Sequence, residues 1–117
     1  MATTAQPKKH TLPQDALQSI LSAHDVWLSS GGDRGDRADL SNTDLADADL
    51  SGINLTAANL AGADLSGADL SHTILDKVSA PRADFSHAEL NQASLVGANL
   101  TWADLSKADL SGAVLTD

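Results

Sequence analysis

The side chains here best suited to chemistry are carboxylates. Asp44, Asp64, Asp84 and Asp104 recur at equal intervals, and Asp49, Asp69, Glu89 and Asp109 repeat the interval five residues later. Such rows could move protons, hold a cation or attract a basic partner. Proton transfer needs groups whose environments set their pKa values apart, and uniform rows do not provide that. Calcium needs oxygens that converge on one point rather than a straight row. Two roles remain: docking a basic partner, or keeping the chain soluble while hydrogen-bonding locally.

The other candidates are weaker. His24 sits on the apolar stripe of a predicted helix and reads as a capping contact. His72 and His87 fall at different corners of a repeat and do not converge. Many serines are present, none with a matching His and acid. No P-loop, dinucleotide fingerprint or HExxH motif occurs. The absence of Cys excludes disulfides, Cys-based zinc sites and thiol chemistry. A non-enzyme with no cofactor and no metal is expected. The net charge of -9 argues against direct nucleic-acid binding, which needs Lys and Arg for the phosphates. It suits a basic protein partner or solubility. No run approaches the ~20 apolar residues of a membrane span, and none has signal-peptide character. A cytoplasmic protein with no membrane contact is expected.

Three segments must position these groups in what 117 residues allow to be one domain. Residues 1–10 are polar and predict a disordered tail. Residues 11–30 predict an amphipathic helix, with Thr11 as N-cap and Gln14 closing a capping box. Its stripe is Leu17, Ile20, Leu21, His24, Trp27 and Leu28, and Gly31 and Gly32 end it. A lone helix of this length is unstable in water, so its apolar face needs a surface. Residues 31–37 are a Gly-rich joint that sets where the helix meets the rest of the chain.

Residues 38–117 divide into sixteen five-residue units. Leu marks each unit from Leu40 to Leu115, with Ala80 and Phe85 as substitutes, and two positions earlier stands, most often, Ala. A step of five moves ~140° around a helix and would scatter these leucines. In an extended run, Ala and Leu two apart share one side and the Asp or Asn between them faces the other. The two remaining positions suit a turn. With one Phe, no Tyr and two Trp, Leu and Ala must fill a narrow interior.

Units such as Ala63-Asp64-Leu65-Ser66-Gly67 and Ala68-Asp69-Leu70-Ser71-His72 resemble the A-(D/N)-L-x-x pattern of the pentapeptide-repeat family. The resemblance implies an all-β solenoid, a right-handed quadrilateral parallel β-helix with four units per coil, preceded by one α-helical cap. Sixteen units then make four coils, a rod of about 20 Å. Ile74 and the Val78-Ser79-Ala80-Pro81 stretch depart from the pattern and predict a distorted corner, with Ala80 leaving interior room for a neighbour such as Phe85.

With four units per coil, the two acidic rows become adjacent ladders, and like charges that close are expected to raise one another's pKa values. A third column, Asp39, Asn59, Ser79 and Asn99, is nearly neutral. The fourth face carries Ile74, Val96 and Val114 outward, a candidate partner surface. Trp102 lies one coil from Arg82, which leaves open a stacked cation–π pair or a solvated pair with no role. Leu110 and Leu115 mark an open C-terminal coil end, expected to make a homodimer. The leading expectation is a non-catalytic interaction or scaffold module for another protein. The alternative, implied by the resemblance, is a DNA mimic that binds a type II topoisomerase such as DNA gyrase.

Overall fold

A three-residue extended run and a two-residue corner, repeated without insertion, drive the backbone into a coil. In the computed structural model, which describes residues 10–116, the coil closes every twenty residues. Parallel bridges join Asp39 to Asn59, Asp44 to Asp64, Asp49 to Asp69 and Asn54 to Ile74, and the four series run on to Asn99, Asp104, Asp109 and Val114. The chain is a β-helix solenoid. Its rungs are single bridges rather than long strands, because a corner interrupts the extended backbone after three residues. Hydrogen bonds still run in both directions along each series: Leu45 N donates to Asp64 O at 2.7 Å and Asp64 N to Thr43 O at 2.9 Å.

The corners share one geometry. In Leu45-Ala46-Asp47-Ala48 the Ala48 N–H closes on Leu45 O at 3.1 Å, and Asp47 has φ 62°. A positive φ at the third residue is the type II pattern. Side chains carry it as well as glycine, at His72, Arg82 and Trp102 for example. Each such residue resists the conformation, but in all except the last coil its N–H is held by the next coil, as Asp47 N is by Ser66 O at 2.9 Å. The corner at Pro81 is not distorted. Pro81 takes the second turn position, which favours proline, Arg82 has φ 63°, and Ala83 N closes on Ala80 O at 3.2 Å.

The N-terminal segment differs from expectation. The predicted tail lies outside the described residues except for His10. That residue and Thr11 form strand β1 (His10–Thr11), parallel to β2 (Thr43–Asp44) in the register His10↔Thr43 and Thr11↔Asp44. The N-cap position therefore falls at Pro13, two residues beyond the predicted Thr11. Helix α1 spans Gln14–Ser29 with Pro13 at its N-cap and no side-chain cap; the Pro13 carbonyl accepts from Leu17 N at 3.1 Å. At the other end Gly31 and Gly32 adopt positive φ, and Gly32 N bonds Trp27 O at 2.8 Å. The joint folds back on the helix: Asp36 N donates to Ala23 O at 3.2 Å.

The core is the column of Leu and Ala inside the coils, with Phe85 and Ala80 both fully buried. Two inward threonines bond carbonyls, Thr43 to Leu40 O at 2.6 Å and Thr73 to Leu50 O at 2.7 Å. Leu17 joins this core from α1, with Leu12, Ile20 and Leu21 packed against it.

Candidate interaction surfaces

The pairing that closes each coil also aligns the outward side chains. It brings Asp44, Asp64, Asp84 and Asp104 into one column and Asp49, Asp69, Glu89 and Asp109 into the next. All of these carboxylates except Glu89 are occupied locally. Asp64 Oδ1 accepts from Ser66 N at 3.0 Å and Ser66 Oγ at 2.6 Å. The same double contact recurs at Asp49 with Ser51, Asp84 with Ser86, Asp104 with Ser106 and Asp109 with Ser111.

The expected rise in carboxylate pKa is therefore wrong in direction where a shift is resolved. The serine hydroxyl, then the serine N–H, holds Asp49, Asp104 and Asp109 below the ordinary carboxylate value, and Asp39 likewise through Ser41. Two donors at close range favour the charged form. Repulsion between rungs acts through exposed, water-screened space.

The fourth face departs from this scheme in a coordinated way. Ile74 is 37% exposed and Val114 46% exposed, and Val96 is half-buried. Ser94 stands where most units have Asp or Asn, so the Val96 N–H lacks its usual acceptor. Asp76, from the preceding coil, supplies it: its Oδ1 accepts from Val96 N at 3.0 Å and from Ser94 Oγ at 2.5 Å. At the neighbouring irregular unit the donor is removed instead, since Ser79 brings no carboxylate and Pro81 has no N–H to satisfy. Nothing within its own unit marks Asp76 for this role. Its signal in the sequence is the simultaneous loss of acidic residues at 74 and 94.

The Arg82–Trp102 stack does not form. Among the described residues the aromatic stack is His24 on Trp27, ring centroids 5.5 Å apart and 20° between planes. Trp102 is instead 80% exposed and lines a shallow cleft with Arg82, Pro81, Ala61, Gly62 and Asn42. At the C-terminal end of the solenoid Leu110 is half-buried and Leu115 is 51% exposed.

His72 and His87 are exposed at separate corners. His24 is buried between α1 and the first coil, where its Nδ1 accepts from Ala38 N at 2.9 Å. It is a contact between elements rather than a cap of its own helix. An accepting Nδ1 places the neutral ring's proton on Nε2, and that buried atom has no partner. An unmade buried hydrogen bond costs about 1–3 kcal/mol. Burial, the larger influence, lowers the His24 pKa; the Thr56 backbone opposes it from nearby but without a hydrogen bond of good geometry to the ring. Among the described residues no three His, Asp or Glu side chains group as a metal site, and no helix is long and apolar enough to cross a membrane.

Comparison with known proteins gives a consistent result. The crystal structure of alr5209, a pentapeptide repeat protein from Nostoc PCC 7120, is similar at 28% identity and TM-score 0.68, covering 92% of this chain and 78% of that one. A pentapeptide repeat protein (Rfr23) from the cyanobacterium Cyanothece 51142 matches at 35% identity and TM-score 0.40, over 74% of this chain and 65% of that one. HetL, a Nostoc sp. strain PCC 7120 pentapeptide repeat protein involved in heterocyst differentiation regulation, matches at 34% identity and TM-score 0.22, over 69% and 46%. No curated protein matches. Residues 37–76 and 82–117 fit the family model of pentapeptide repeats in eight copies. With the same repeat in its sequence and twenty-residue coils in its structure, the chain belongs to the pentapeptide-repeat family.

Proposed function

We propose that this protein is a non-catalytic interaction scaffold, a right-handed quadrilateral rod of four coils whose N-terminal end is capped by α1. One observation carries the reading: Ile74, Val96 and Val114 share an outward face, where the Val96 N–H is met by Asp76 from another coil. A rigid face of this kind suits a protein partner. Two features support the cap: the first-coil leucines Leu40, Leu50 and Leu55 are fully buried, whereas Leu115 at the far end is not. A cytoplasmic location and a second copy bound through Leu110 and Leu115 belong to the same proposal.

The test is solution mass, together with recovery of binding partners from a host extract. The triple change Ile74→Ser, Val96→Ser and Val114→Ser is expected to leave mass and fold unchanged and to abolish partner recovery. Leu115→Glu is expected to halve the mass and spare the partner. Partners recovered equally by the triple variant would overturn the face; an unchanged monomeric mass in every variant would overturn the dimer.

The two adjacent acidic columns favour one second reading, a DNA mimic acting on a type II topoisomerase such as DNA gyrase. A four-coil rod spans only about six base pairs at 3.4 Å each, and a dimer twice that. A salt-sensitive inhibition of supercoiling would support this reading, and no effect at ~1 μM protein or above would end it.

A further inference from the structure

The contact between α1 and the first coil contains a titratable group at its centre. His24 is 1% exposed, accepts the Ala38 N–H at 2.9 Å, and stacks on Trp27. Ala38 is the first residue of the solenoid proper, and its own carbonyl accepts from Asn59 N at 2.9 Å, so the histidine ties the helix to the first rung of the coil. Only the neutral ring can make this tie. A proton on Nδ1 would point N–H against N–H at Ala38 and leave a buried charge. The charged groups facing the ring are Arg37 from the joint, which disfavours protonation, and Asp25 on α1 itself, which favours it. From the first coil the ring meets the Thr56 backbone and no ionised side chain.

We infer that His24 is a proton-sensitive latch, and that acidification releases α1 from the first coil and bares the apolar surfaces that both had buried. The inference rests on reading α1 as the cap of the solenoid. The surfaces concerned are the Leu17, Ile20 and Leu21 stripe and the N-terminal end of the Leu column.

The sign comes from linkage. The free helix exposes a histidine of ordinary pKa, 6.5, while burial lowers it in the docked state. Docking is at full strength above 6.5 and weakens as the pH falls below it. One proton taken up on release changes the docking equilibrium by at most about tenfold per pH unit.

The experiment is amide hydrogen exchange of Ala38 between about pH 8 and about pH 5, each rate referred to its intrinsic value, with Trp27 emission read in parallel in a Trp102→Phe background. Ala38 protection at the alkaline end reports docking itself; its absence there would overturn the cap. Given docking, protection is expected to fall below 6.5, by up to about tenfold per pH unit, while the Leu65 N–H, bonded to Asp84 O inside the solenoid, keeps its own. Gln in place of His24 can accept the same N–H but cannot titrate, so His24→Gln is expected to hold Ala38 protected throughout. The double change His72→Gln and His87→Gln is expected to leave the transition in place. Flat Ala38 protection in the unaltered protein would overturn the latch, and so would an unchanged transition in His24→Gln. Should that variant fail to fold, the His24 ring signal of the unaltered protein decides: a titration with no loss of Ala38 protection would refute the latch, and a joint transition would support it.

Discussion

The Asp76 carboxylate accepts the Val96 N–H at 3.0 Å, one full coil further along the chain. At most corners of the solenoid this N–H is met from within its own unit, as Ser66 N is by Asp64. The bond therefore joins two coils through a side chain where other units spend the side chain locally. Asp76→Ala is expected to cost about 1–2 kcal/mol in denaturant unfolding, because Val96 N and Ser94 Oγ lose their acceptor together. The companion change Ser94→Asp should recover much of that loss by restoring the local acceptor. No recovery would mean that the inter-coil bond has its own geometric role.

The buried column predicts a gradient along the rod. Leu65 is fully buried, whereas Leu110 is only half-buried. Leu65→Ala should destabilise by about 2–5 kcal/mol, and Leu110→Ala by clearly less, since a cavity forms only where neighbours close around the missing atoms. Equal losses in urea unfolding would imply that the C-terminal coil is covered in solution.

Gly35 is a site of enforced backbone approach. A Cβ there would collide with Ala23 O and lie 2.7 Å from Trp27 N, both backbone atoms, at φ 73°. Gly35→Ala should therefore cost more than about 1 kcal/mol and raise exchange at Asp36 N, which bonds Ala23 O. Gly52 has φ 72° but open space around it, and Ala57 already tolerates φ 66° at a like corner. Gly52→Ala should then be the milder change by thermal unfolding.

The serine contacts predict acid behaviour. Folded Asp49, Asp104 and Asp109 have pKa values held below the ordinary carboxylate value by Ser51, Ser106 and Ser111. Their stabilisation is complete above the unfolded value and is lost as pH falls through the folded one. Ser106→Ala should move the Asp104 titration upward in NMR and leave Asp49 unmoved. It should also raise the pH at which acid unfolding begins. This window lies below that of His24, whose stabilisation is already weakening beneath 6.5.

The solenoid is legible in the sequence because its cause is periodic. A Leu every five residues with Ala two before it permits only one inside, whereas four units per circuit was implied by the family resemblance and is seen in the pairing of Asp44 with Asp64. The outward columns come from the same count. What the tertiary structure alone decided lies where groups distant in sequence compete for one hydrogen bond. The Thr11 backbone pairs with the edge of Thr43 and Asp44, and the helix begins two residues later than its capping-box pattern suggests. Asp76 reads as a corner residue, yet an N–H one coil away claims it. The acidic residues look like mutually repelling charges, but the serines two positions on hold them. His24 on its apolar stripe gives no sign of Ala38. A repeat specifies what every unit shares, while these contacts are made by the residues in which units differ, and three-dimensional proximity selects their partners.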